Sequence, residues 1–217
     1  MKRRSLTLVV CLLATLSLAS VGFAAWVISA GDTEQMTGSF LVEDVTDERY
    51  EIRNLSVGGV EWNHETSSWA GNAPQFVFGK NNAVTTYSWL KNDKSEKLTL
   101  VVKFKVYHKA DNTEVTTLDK ITIANTFSAT GLTKESHEYA RVVAANPTAV
   151  YDGEYWTFEI QLAWGSYFAE GKNPFEYYNG KEITDALAEE AKTKLETMYT
   201  NTASASYTLK IDVQPKA

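Results

Sequence analysis

The sequence predicts a mainly β fold, an antiparallel β-sandwich or jelly roll with one amphipathic helix near its C-terminal end. Three observations carry this expectation. Apolar and polar side chains alternate with period two from about Met36 onward, turn-forming Asn, Asp and Gly residues break the alternation at short intervals, and strands do not alternate with helices as they do in parallel-sheet folds. Length and composition agree. With 217 residues, 44% of them hydrophobic and 22% charged, the chain can bury a substantial core. The same figures exclude a disordered chain, a collagen, a coiled coil and a disulfide-stapled miniprotein.

The first segment reads as an export signal. Lys2, Arg3 and Arg4 precede a run from Ser5 to Ala30 that contains no charged residue, and Leu6 to Ala19 is its apolar part. Gly22, Ala24 and Ala25 supply small residues just beyond it, so residues 1–25 fit a secretory signal peptide. The alternative is a retained anchor extending to residue 30, because about 20 apolar residues suffice to span a bilayer. A lipoprotein signal is excluded, since Cys11 lies inside the apolar run without a small residue before it. Taking the three basic residues from the total of 21 leaves 18 against 27 acidic ones, a net charge of −9 for the exported part. Cys11 is the single cysteine, so the exported part has no thiol for a disulfide, for nucleophilic catalysis or for zinc. An acidic chain without a clustered basic stripe is also a poor partner for nucleic acid.

Residues 26–217 read as a single domain, with a flexible N-terminal arm over 31–44. Early strand candidates are Gly38 to Glu43, Arg49 to Arg53, Gln75 to Gly79 and Thr86 to Leu90. The clearest strand has Leu98, Leu100, Val102, Phe104 and Val106 on one face and Thr99, Val101, Lys103, Lys105 and Tyr107 on the other. After the turn at Ala110-Asp111-Asn112-Thr113, Glu114 to Asn125 is expected to return alongside it as a long hairpin. Asp152-Gly153 marks a second hairpin between Val142–Tyr151 and Glu154–Trp164, whose incoming arm Pro147 should bend or hold at an edge. Its outgoing arm buries Trp156, Phe158, Ile160, Leu162 and Trp164, and a final strand buries Tyr207, Leu209, Ile211 and Val213. The helix is marked by Ile183, Leu187, Ala191, Leu195 and Met198, with Asn179 and Glu182 spaced as a capping box and Glu190–Lys194 as an i,i+4 pair. The aromatic segment from Trp164 to Gly180 reads as a loop that seats this helix on the sheets.

Residues that could carry chemistry are sparse. His64-Glu65 begins like a zinc-protease motif, but Ser68 stands where the second histidine should be, and His108 and His137 read as surface residues. No nucleophile elbow, P-loop or dinucleotide glycine fingerprint occurs, so neither a metal nor a cofactor is expected. Asp44-Val45-Thr46-Asp47-Glu48 has oxygen ligands suited to calcium but lacks the EF-hand pattern, and reads as a solvated acidic turn. Trp62 and Trp69 flank the polar stretch 63–68, and exposed there they would offer a stacking platform for glycans.

The junction Val21-Gly22-Phe23-Ala24-Ala25-Trp26-Val27-Ile28-Ser29 resembles that of the TasA/camelysin-type exported proteins of Gram-positive bacteria, with Thr37-Gly38-Ser39-Phe40-Leu41-Val42 in the position of their first extended segment. The resemblance implies cleavage between Ala25 and Trp26, although small residues at −3 and −1 would favour cleavage after Ala24. It also implies a jelly-roll sandwich found in biofilm-matrix fibres or at the cell surface. The expected function is a non-enzymatic cell-surface or extracellular-matrix protein, a fibre subunit assembling by strand addition, whose partners are further copies of itself or envelope and matrix components. Membrane contact is expected only through the N-terminal segment if it is retained. Residues 31–44 are the expected donor, so that deleting Asp32 to Val42 should abolish fibres and leave a folded monomer. The alternatives are a carbohydrate-binding module using Trp62 and Trp69 and, third, a secreted hydrolase.

Overall fold

The computed structural model describes residues 39–78, 98–169, 171–182 and 184–216. The signal segment with Ala25 and Trp26, the strand candidate Thr86 to Leu90, and Ile183 of the helical stripe lie outside them. The fold is mainly β, as the alternation predicts. Its larger sheet follows the order β10 (Ala140–Val142), β12 (Trp156–Trp164), β5 (Thr99–His108), β2 (Tyr50–Val57), β3 (Val60–Asn63) and β4 (Ser68–Trp69). Within it β6 (Thr113–Glu114) pairs with β5, and β11 (Val150–Tyr151) pairs with β12. A second sheet has β13 (Ser206–Pro215) between β1 (Ser39–Thr46) and β7 (Ile121–Thr130), and a small ribbon pairs β8 (Thr133–Lys134) with β9 (His137–Glu138).

The central strands form where period-two patterning is strictest. Leu100, Val102, Phe104 and Val106 of β5, all five expected residues of β12, and Tyr207, Leu209, Ile211 and Val213 of β13 are buried. Residues of both sheets and of the long helix join one continuous apolar cluster. Burial of that kind, at about 25 cal/mol per Å² of apolar surface, holds a cysteine-free domain together.

Four expectations are corrected. The return arm of the first hairpin pairs with β5 only at Thr113 and Glu114, after which the chain crosses to the other sheet as β7. The reason is occupancy: β12 already pairs with β5 from Phe104 back to Thr99, so only Lys105 to His108 remain. Of these, β6 pairs with Tyr107 and His108, and the Val106 carbonyl accepts from the Val115 amide. The incoming arm of the second hairpin touches β12 at its two ends and peels away between them. There Ala145 accepts a hydrogen bond from the Phe127 amide and Pro147 one from the Asn125 side chain, consistent with the bend expected at Pro147. Gln75 to Phe78 forms no strand of its own but sends Phe76 and Phe78 fully into the core. Finally, β1 runs parallel to β13, so the pairing is not antiparallel throughout, and Ser39 to Asp44 belong to a sheet rather than to a free arm.

The helical region divides into α1 (Pro174–Tyr178) and α2 (Asp185–Thr202). Asn173 and Glu176 form the capping box, on α1, where Pro174 follows at the first turn; Thr184 caps α2 through its hydroxyl. The Asn179–Glu182 box is therefore not formed, and Asn179 ends α1. Of the expected stripe, Ala191, Leu195 and Met198 are buried and Leu187 is half-buried against the core, while Ala188, outside that stripe, is buried as well. Glu190 and Lys194 do not pair. Glu190 accepts from the Tyr178 hydroxyl at 3.2 Å, while the Lys194 ammonium lies 4.9–5.3 Å from the ring centres of Tyr167, Phe168 and Tyr177. The aromatic segment thus seats the helix as expected. Gly165 makes this possible by passing tightly over Glu138, leaving no room for a side chain.

Candidate functional site at the β1 edge

Among the described residues, β1 lies at one edge of the smaller sheet. Its eight residues pair in register with β13, from Ser39 opposite Ser206 to Thr46 opposite Val213. Phe40 and Val42 point into the core, while Leu41 is 47% exposed. The Phe40 ring lies 5.9 Å from Tyr207 and 6.4 Å from Phe127, both fully buried, and Phe76 packs 5.2 and 6.0 Å from the same two rings. These rings form the floor of a slot into which β1 is laid. The strand is held at its ends by the Ser39 amide on the Ala205 carbonyl (3.2 Å) and the Asp47 amide on the Val213 carbonyl (3.0 Å).

A three-residue turn, Asp47-Glu48-Arg49, joins β1 to β2, which belongs to the other sheet. Of the acidic turn expected over Asp44 to Glu48, Asp44 to Thr46 instead belong to β1, and the remaining turn is pinned by local bonds. Arg49 donates to Asp47 from its backbone amide and its guanidinium (2.7 Å), and these bonds hold the Asp47 carboxyl below the usual carboxylate range.

Trp62 and Trp69 are brought together, but not as an exposed platform. They stand directly opposite each other on β3 and β4, edge to face at 4.9 Å. Trp62 is only 8% exposed, and Trp69 is half-buried with its indole N–H donated to the Phe40 carbonyl at 3.0 Å. The polar stretch between them is a tight turn, in which the Asn63 side chain accepts from the Glu65 and Thr66 amides. That turn faces outward, whereas Trp62 is buried and Trp69 half-buried, so the two indoles do not form the exposed platform that glycan stacking was expected to use.

The histidines occupy separate elements: the β3–β4 turn, the end of β5, and β9. Among the described residues, no group of three or more His, Cys, Asp or Glu side chains could hold a metal ion. His108 lines a cleft of about 310 Å³ with Tyr50, Asp111, Glu114 and Lys120. Its Nδ1 lies 3.0 Å from Asp111 Oδ1, and the same carboxylate accepts from the Thr113 amide. These contacts, His108 foremost, lower Asp111 to about 2. A carboxylate depressed from an ordinary 3.8 adds stability that is complete above that value and is lost as pH falls through about 2. Thermal melts should therefore find Asp111→Asn less stable than wild type at pH 6, with the gap closing between about pH 4 and pH 2. A gap unchanged by acid would contradict the assignment.

Sequence reasoning missed two arrangements. One is the β1–β13 pair, whose partners are 167 positions apart at Ser39 and Ser206. The other is Glu114, which accepts from Lys105 (3.3 Å), Tyr107 (3.4 Å) and Tyr151 (3.5 Å) on the outer face of the large sheet. In comparisons with known proteins, the chain matches no family model, no curated protein and no solved structure. Among the described residues, no helix is long and apolar enough to cross a membrane.

Proposed function

We propose that this chain is a non-enzymatic exported protein of the cell surface or extracellular matrix, and that it assembles into fibres by exchanging β1 between copies. The reading rests on one observation. Among the described residues, β1 is an edge strand whose sheet partner is distant in sequence, and it fills an aromatic slot lined by β7, β13 and residue 76. A slot of this kind accepts an identical strand from a neighbour with the same backbone bonds and the same buried side chains. The short hinge at residues 47–49 favours such swapping, because a strand that straightens there reaches away from its own domain. Export follows from the basic start and the apolar run ahead of β1. The partner is a second copy, and no cofactor is needed.

A reversible lock tests the reading. Ser39 and Ser206 are register partners with hydroxyl oxygens 3.1 Å apart, on one face of the sheet. Disulfides join Cα atoms roughly 4.4–6.8 Å apart, which adjacent paired strands satisfy. In the full chain carrying Cys11→Ser, the pair Ser39→Cys and Ser206→Cys would be the only thiols. Oxidised, this chain is expected to stay monomeric under electron microscopy and size-exclusion chromatography, and to form fibres once reduced. Fibres in the oxidised state, or none from the wild-type chain at any concentration, would overturn the proposal.

A further inference from the structure

Trp69 holds β1 from the side opposite its sheet partner. In an extended strand the N–H and C=O of one residue point to the same side, and the next residue's point to the other. Ser39 directs its amide toward β13, so Phe40 directs its own groups outward, away from the sheet. At that outer edge the Phe40 carbonyl accepts the Trp69 indole N–H at 3.0 Å, and the two rings meet edge to face at 5.6 Å. Trp69 is itself positioned by Trp62, its partner across β3 and β4. A side chain of the larger sheet thus occupies a backbone position where another strand would otherwise pair.

Resting on the strand-exchange reading, we infer that Trp69 is the gate of that exchange, releasing the Phe40 carbonyl of its own β1 and taking up the same carbonyl on the β1 of a second copy. The departing and arriving strands have one sequence, so this hydrogen bond exists before and after exchange and cancels from the equilibrium. It is missing while the strand is out, and therefore counts in the barrier. It also reads register, because a slip of one residue turns the outward carbonyl inward and moves the phenyl ring to the wrong face. Trp69→Phe keeps an aromatic ring but removes the donor. Exchange is then expected about fivefold faster, the factor a typical net hydrogen bond represents, with the final assembled fraction unchanged.

The test mixes two populations of the full chain carrying donor and acceptor fluorophores at the C-terminus, and follows energy transfer beside amide hydrogen exchange of β1. Trp156→Phe is the control, since it removes another indole hydrogen bond, donated to the Val115 carbonyl away from β1, and its rate should stay within about twofold of wild type. Faster transfer to the same plateau in Trp69→Phe alone, with β1 amides less protected, supports the gate. A wild-type rate in Trp69→Phe, or equal acceleration in both variants, overturns the gate while leaving strand exchange standing. No mixing in any chain overturns strand exchange, and the gate with it.

Discussion

Deleting Asp32 to Val42 is expected to unfold the domain rather than yield a folded, assembly-incompetent monomer. The deletion removes Phe40 and Val42, both buried, and strips the cover from Phe127 and Tyr207. Truncating one buried Phe costs about 3–5 kcal/mol and losing a buried Val about 2 more. The sum, more than about 5 kcal/mol, is comparable with the whole stability of an ordinary domain. The backbone edge of β13 would be exposed along with the rings. Circular dichroism should record a broad or absent thermal transition and chromatography should record aggregates. A cooperative melt within a few degrees of wild type would mean that β1 adds little to the core. For the same reason the deletion cannot separate lost assembly from lost folding, whereas the reversible lock at Ser39 and Ser206 can.

Gly165→Ala is expected to be the most damaging single substitution. An added Cβ would overlap the Glu138 carbonyl oxygen and lie 2.6 Å from its carbonyl carbon, and both are backbone atoms that no rotamer change can move. The neighbourhood is fixed from several sides. The Gly165 amide donates to Tyr139, the Tyr167 amide to Glu138, and the Gly171 amide to Gly165. Relieving the overlap would shift Trp164 and Phe168, which pack edge to face at 5.7 Å, and with them the ring nest around Lys194. A loss above about 3 kcal/mol is expected, beyond the usual range for overpacking. Urea denaturation would measure it, and a midpoint equal to wild type would refute the close approach.

The strands that period-two patterning reveals are those with a buried and a wet face, and β5, β12 and β13 were readable for that reason. Pairing was harder to read, because the partner of a strand is set by which edges remain open. Nothing local to Glu114 announces that β12 has already taken most of β5. Nothing local to Ser39 announces Ser206. The two Asn-x-x-Glu spacings, at Asn173 and Asn179, are alike in isolation, and Pro174 in the first turn marks the one that caps a helix. At the candidate site, the segment around Phe40 was legible as strand-forming. Its place in the core was not, because a strand near the start of a chain looks the same whether docked or free. Trp62 and Trp69 misled through their polar neighbours, which are the outward turn of a hairpin with inward indoles.

The distance along the chain between β1 and β13 also sets a timetable. During synthesis β1 emerges early, while the strand it needs follows more than 160 residues later. In an unfolded chain, closing that span costs about 2.5 kcal/mol more in entropy than closing a ten-residue hairpin. On that ground docking of β1 is expected late in folding, with its apolar side chains available to any chain nearby until then. If β1 is exchanged as proposed, local concentration at the moment β13 appears would decide whether a newly made molecule closes on itself or on a neighbour. On the proposed strand exchange, crowding would favour the polymer and dilution the closed monomer.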